Sequence, residues 1–178
     1  MHEDIKTILY SETEIARRVC ELGAEITRDY TGKRLLCVGI LNGSAVFLSD
    51  LIRRIELPVR VEFMAASSYG SGAVTSGNVK ITRDLNFDIS GYDILIIEDI
   101  IDTGLTLSYV KKLLLSRNPK SVKIVSIFNK PSRRRTELKA EYTGFDVPDE
   151  FIVGYGLDYG NRYRNLPYIG VLKPEIYN

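Results

Sequence analysis

Two segments, RLLCVGIL (34–41) and ILIIE (94–98), are apolar on successive residues, and SVKIVSIFN (121–129) nearly so. A strand with one wet face alternates, so strands apolar on both faces belong in a sheet covered on both sides. The segments between them have helical period. In SETEIARRVCELGAEITRDYTG (11–32), Ser or Thr precedes an acid, Ile15, Val19, Leu22 and Ile26 share one face, and the helix ends near Gly32. SAVFLSDLIRRI (44–55) is helical up to Pro58, and LTLSYVKKLLL (105–115) is a helix with a basic, solvated end. VRVEFMA (59–65) and NVKITRDL (78–85) alternate like strands, and FIVGYGL (151–157) reads as one more. Alternating strands and helices predict an α/β fold with a mostly parallel central sheet flanked by helices.

A chain of 178 residues fits one domain with a full core. The formal charge of +1 gives no general attraction to nucleic acid, so a polyanion would need a local patch. The one dense basic stretch is PSRRRTELK (131–139), read as a solvated face or, alternatively, a nucleic-acid contact. Cys20 and Cys37 have no metal-type spacing, and Cys37 sits in an apolar run as a core residue. His2 is the single histidine, which argues against a histidine triad or zinc site. MHEDIKTILY lacks a basic leader, and no stretch approaches the ~20 apolar residues of a membrane span. The expectation is a cytoplasmic protein without membrane contact. Residues 67–78, SSYGSGAVTSGN, are small or polar and cannot build core, which predicts a mobile loop or hairpin tip.

Ligands of parallel sheets sit beyond the carboxyl ends of the strands. Three strands here end in chemistry: at Asn42-Gly43-Ser44, at Glu98-Asp99 and at Asn129-Lys130. The stretch ILIIEDIIDTGLT reads as strand, loop and helix, with Glu98 and Asp99 where the strand leaves the sheet. Asp102-Thr103-Gly104 then turns several N–H groups toward one point at a helix start, which suits an anion. Thr103 and Thr106 add hydroxyls, and adjacent carboxylates suit a sugar diol or hydrated Mg²⁺. Phosphate, diol and divalent metal together describe a phosphorylated ribose. Each residue also has a plainer reading. Asp102 can be a helix N-cap, Glu98 and Asp99 surface acids, Lys130 a solvated lysine, and Phe151 a core residue. Asp158 and Arg164 can be ordinary loop charges. Asp-Thr-Gly after two apolar residues also occurs in aspartic proteases, but those are mostly β and need a second copy.

The string EDIIDTGLTL resembles the phosphoribosyl-pyrophosphate motif of the type I phosphoribosyltransferase family, in its hypoxanthine-guanine branch. GILNGSAVFLSDLIRRI, the segment from SSYGSG to the acidic motif, and FIVGYGLDYGNRYRNLPYIGVL align with that branch in order, from about residue 36 to 172. The resemblance implies one phosphoribosyltransferase domain over residues 1–178, with a hood subdomain built from the terminal segments. It implies transfer of phosphoribose from phosphoribosyl pyrophosphate to hypoxanthine or guanine, with Mg²⁺ as cofactor and a homodimer or homotetramer as assembly. By the same resemblance Glu98 and Asp99 hold the ribose hydroxyls, and Asp102, Thr103, Gly104, Leu105 and Thr106 cradle the 5′-phosphate. Asp102 is the proton acceptor or donor at the purine. Lys130, Phe151, Ile152 and Asp158 line the base, and Asp158 also binds Mg²⁺, with Glu98 and Asp99 facing metal too. Asn42, Gly43 and Arg164 contact pyrophosphate, and Ser68 and Tyr69 belong to a mobile loop at about 67–80. Many relatives have Lys or Arg at the position of Asn42, so backbone N–H groups are expected to make that contact here. A regulator that senses phosphoribosyl pyrophosphate and binds nucleic acid is the alternative within this fold.

Overall fold

The computed structural model describes residues 2–68 and 79–177. Its elements are β1 (Ile5–Tyr10), α1 (Glu12–Tyr30), β2 (Leu35–Leu41), α2 (Ser44–Ile52), β3 (Val59–Ser68) and β4 (Val79–Arg83). There follow β5 (Asp93–Ile101), α3 (Leu105–Leu115), β6 (Ser121–Asn129), β7 (Tyr142–Asp146), β8 (Ile152–Val153) and β9 (Ile169–Leu172). Six strands form the central sheet in the order β4-β3-β2-β5-β6-β7, and three form a small sheet, β1-β9-β8. In the large sheet only β3 and β4 are antiparallel. No helix among the described residues is long and apolar enough to cross a membrane.

The unbroken apolar runs are explained by two cores. Leu35 and Cys37 of β2, with Leu95 and Ile97 of β5, pack with α1 and α2 through Ile15, Leu22, Phe47 and Leu51. Their neighbours Leu36, Val38, Ile94 and Ile96 face the opposite core with Leu107, Val110 and Leu114 of α3. Successive residues of one strand thus enter different cores, and no position is left for water. The small sheet joins the first core through Ile152, Ile169 and Val171, while Val153 turns to a third cluster with Ile5 and Leu172.

Register decides where the site lies. Pairing of β2 with β5 stops at Gly39 and Ile97. β2 stays paired with β3 as far as Leu41 and Ala65, and β5 with β6 as far as Ile101 and Asn129. β2 also lies where the strand order reverses, with β3 on one side and β5 on the other. A crevice therefore opens between the carboxyl ends of β2 and β5, the place such sheets keep for ligands. The Leu41–Asn42 peptide on its rim is cis. The sequence reading ended the strand at Glu98; it runs on to Ile101 because β6 continues to pair with it after β2 has stopped.

The capping signal of α1 is fully formed. Ser11 Oγ accepts from the Glu14 amide at 3.4 Å, and the Glu14 carboxylate accepts from the Ser11 amide at 2.9 Å. Ser11→Ala is expected to lower stability by about 1 kcal/mol in urea unfolding; an unchanged midpoint would show that packing alone holds the helix start.

Candidate active site

Glu98 and Asp99 stand on the length of β5 that has lost β2 as a neighbour. Asp99 is 8% exposed, and its Oδ1 accepts from the Ile100 amide at 2.9 Å. Glycine at 43 is what lets the first loop approach, because a Cβ there would lie 1.6 Å from Asp99 Oδ2. Asn42, one residue earlier, is exposed. Glu98 is only half-buried, yet its Oε2 is shut off from solvent with no hydrogen-bond partner among the described residues.

Burial pushes the Glu98 carboxyl well above the usual carboxylate range, and the Asp99 charge beside it pushes further. Burial also raises Asp99, to about 6, against the pull of the Ile100 amide and the Arg164 guanidinium. An orphaned acidic oxygen in such a place fits a hydroxyl donor or a hydrated cation. Among the described residues no three His, Cys, Asp or Glu side chains form a metal cage.

Beyond Ile101 the chain turns through Asp102 and Thr103, and Gly104 adopts φ of +80° before α3 begins at Leu105. Asp102 is therefore not the N-cap, since Gly104 holds that position. The Leu105 amide donates to Thr103 Oγ1 at 3.4 Å, and Ser108 N to the Gly104 carbonyl at 2.9 Å. The helix N-terminus follows directly on the turn that leaves the carboxylate-bearing strand.

A cleft of about 570 Å³ borders this turn, lined by Asp102, Lys130, Phe151, Ile152 and Asp158, and also by Arg133 and Tyr177. Lys130 is 6% exposed and donates to the Glu150 carbonyl at 2.8 Å. The plain reading of a solvated lysine fails, because Lys130 is buried and its ammonium is held by a carbonyl just before β8. Burial lowers its pKa, which the Asp102 carboxylate partly opposes. Phe151, in turn, is not core: it is 37% exposed and stacks on Tyr177 with ring centroids 4.8 Å apart. Asp102 Oδ1 has no hydrogen-bond partner among the described residues and lies 3.5 Å from Arg133 Nε. Arg133 also faces Asp149 at 3.8 Å.

On the other side of the crevice Arg164 donates to the Gly156 carbonyl at 2.6 Å and pairs with Asp158 at 2.7 Å. A Cβ on Gly156 would meet the Gly43 carbonyl at 2.2 Å, so this loop backs the first one. The expected residues thus fall into one connected region, with two exceptions. Tyr69 lies outside the described residues, as does most of the 67–80 loop, and of Ser68 only the backbone at the end of β3 is described. Sequence reasoning missed Arg133, Arg134, Gly156 and Tyr177. The arginine run after Lys130 was the one available signal for the first two.

The sequence pattern of the phosphoribosyl transferase domain matches residues 7–160. The chain belongs to the phosphoribosyltransferase family. It is 53% identical over its whole length to the bifunctional protein TilS/HprT of Listeria monocytogenes, of which it spans only 28%. It is 54% identical over 99% of its length to the hypoxanthine-guanine phosphoribosyltransferase of Bacillus subtilis, covering 98% of that protein. The crystal structure of a hypoxanthine phosphoribosyltransferase from Staphylococcus aureus superposes with a TM-score of 0.97 at 52% identity, covering 100% of this chain and 97% of that one. The mostly parallel phosphoribosyltransferase fold expected from the motifs is the fold observed.

The raised Asp99 has a consequence for stability. Folded Asp99 holds its proton up to about 6, whereas an ordinary aspartate releases it near 3.8. Between those values the native state binds the extra proton, so this carboxyl costs stability as pH rises through the window. In magnesium-free urea unfolding, Asp99→Asn should gain on the native protein from pH 4 to pH 7, by up to a few kcal/mol at ~1.4 kcal/mol per unit. A stability difference that stays constant, or that shifts in favour of the native protein as pH rises, would contradict the assignment.

Proposed function

We propose that this chain transfers the 5-phosphoribosyl group from phosphoribosyl pyrophosphate to hypoxanthine or guanine, giving IMP or GMP and pyrophosphate. The observation that carries this reading is the joining of two half-sites. A buried cation, a carboxylate and a partly exposed aromatic ring share one cleft, and Asp102 in its wall joins, along the chain, the carboxylate pair of β5 to the start of α3. The relatives named above support the same substrates.

In this reading the amides of the 102–106 turn and the hydroxyls of Thr103 and Thr106 bind the 5′-phosphate. Glu98 and Asp99 accept from the ribose hydroxyls. The base lies on Phe151, beside the Ile152 backbone, with its 6-oxo group toward Lys130. An amino group at that position would meet donor with donor, which disfavours adenine. As base nitrogen forms its bond to C1 and the C1–O bond breaks, Asp102 accepts the proton leaving N7. Backbone groups of Asn42 and Gly43, together with Arg164, receive the pyrophosphate. When bound, Mg²⁺ would neutralise pyrophosphate oxygens, and the residues that fit it are Glu98, Asp99 and Asp158. The strands at the two ends of the described chain, as the small sheet, make the hood over the base. The assembly proposed is a homodimer or homotetramer, and the location the cytoplasm.

The regulator alternative needs the carboxylates and the phosphate turn but has no use for Asp102, Lys130 and Phe151 in one cleft. The arginine run it would offer to nucleic acid is partly spent on the protein's own backbone. The deciding experiment is a steady-state comparison of hypoxanthine, guanine, xanthine and adenine with phosphoribosyl pyrophosphate and Mg²⁺. Product from hypoxanthine or guanine with adenine nearly untouched is expected, and no product from any 6-oxopurine would overturn the reading. Asp102→Asn should lower kcat by about 10² or more while phosphoribosyl-pyrophosphate affinity stays within a few-fold; an unchanged kcat would remove Asp102 from proton transfer.

A further inference from the structure

The arginine run 133–135 is not simply a solvated face. Arg134 reaches behind the phosphate turn and donates to two of its carbonyls, Nη2 to Ile101 at 3.2 Å and Nε to Asp102 at 3.1 Å. The next amide, Arg135 N–H, donates to the Thr103 carbonyl at 2.9 Å. Three successive carbonyls are therefore held from one side. In a planar trans peptide the C=O and the following N–H point in opposite directions. Holding the carbonyls of 101, 102 and 103 from behind thus directs the amides of 102, 103 and 104 forward, to the side the turn offers an anion.

The same segment fixes the next step of the turn. At Gly104 a Cβ would lie 2.5 Å from Thr136 Oγ1 and 3.1 Å from Arg134 Cδ, so the two strips are in close contact. Arg134 also ties the turn to the base side. Its Nη2 donates to Asn129 Oδ1, one residue before Lys130, and the Lys130 amide shares the Ile101 carbonyl at 3.0 Å. Its remaining nitrogen, Nη1, donates to the Leu138 carbonyl at 2.6 Å. Four of the five N–H donors of the guanidinium thus hold backbone and the Asn129 side chain. It does not line the cleft of Lys130 and Phe151.

We propose that Arg134 is a positioning residue: without touching either substrate, it sets the amides of the 102–104 turn for the 5′-phosphate by gripping that turn's carbonyls from behind. This rests on the reading of the turn as the phosphate site. Lysine cannot replace it, since one ammonium cannot span carbonyls of two residues and an amide oxygen in the planar arrangement that a guanidinium fork provides. A second cleft of about 460 Å³, lined by Asn129, Arg134, Thr136 and Leu138, opens on this side, so a small cation can reach the spot if the side chain is removed.

The test compares native protein, Arg134→Ala and Arg134→Lys. Ribose 5-phosphate binding by calorimetry should weaken about tenfold in Arg134→Ala and by less in Arg134→Lys, as expected for losing a few charge-assisted bonds that order one loop. In turnover assays KM for phosphoribosyl pyrophosphate should rise by a similar factor, with KM for hypoxanthine within about twofold. Millimolar guanidinium, far below denaturing concentrations, should restore binding to Arg134→Ala, which ties the loss to the missing guanidinium at that spot rather than to a general loosening of the fold. Unchanged ribose 5-phosphate affinity, equal rises in both KM values, or no rescue would each overturn the proposal. If Arg134→Ala does not fold, Arg134→Lys decides through the same binding and KM comparison. If the native protein binds ribose 5-phosphate but yields no nucleotide from any 6-oxopurine, the functional reading fails, and the calorimetry still tests the role of Arg134.

Discussion

The pairing of β2 with β5 stops at Gly39 and Ile97, and the chemistry of the protein depends on that stop. Had the ladder continued, Glu98 and Asp99 would lie between two neighbouring strands with no room for a ligand. Because only β6 goes on pairing, the strand stays rigid as far as Ile101 while its other edge faces a crevice. Rigid backbone under the carboxylates keeps them in place at the cost of desolvating them, which is why both resist ionisation. The crevice is then floored by glycine: Gly43 lies against Asp99, and Gly156 against Gly43.

The central sheet was legible in the sequence wherever a strand or helix carried a clean period. β2, β5, β6 and all three helices begin and end within a few residues of the expected places, because two-sided burial and capping leave strong patterns. β1, β7 and β9 were missed: they are short, and β1 and β7 mix polar with apolar residues. The expected strand at 151–157 shrinks to Ile152–Val153, since Gly154, Tyr155 and Gly156 all take positive φ and leave the ladder. No local pattern announces that, because Tyr155 has no preference for such a conformation.

The site was legible where chemistry is written in contiguous residues, as in the acidic string and the turn that follows it. It was illegible where it depends on contacts distant in sequence. An arginine run looks the same whether it meets water or folds back, and Arg134 is separated by 32 residues from the Asp102 carbonyl it holds. Lys130 and Phe151 exchanged their ordinary surroundings, the charge going inside and the ring outside. Such inversions mark places where the fold gives up some stability to keep a surface ready for something else.

Phe151 carries two neighbouring rings, Tyr177 stacked at 4.8 Å and Tyr159 perpendicular at 5.5 Å. The ring is still 37% exposed and shares a cleft with Lys130 and Asp102. A flat heterocycle laid against it, as proposed, has two ways up. Lys130 and Asp102, opposite in sign on the rim of the same cleft, tell them apart, since turning the guest over would exchange the edges offered to cation and anion. On the proposed reading Phe151 holds the base flat, and the two charges fix which side of it is uppermost.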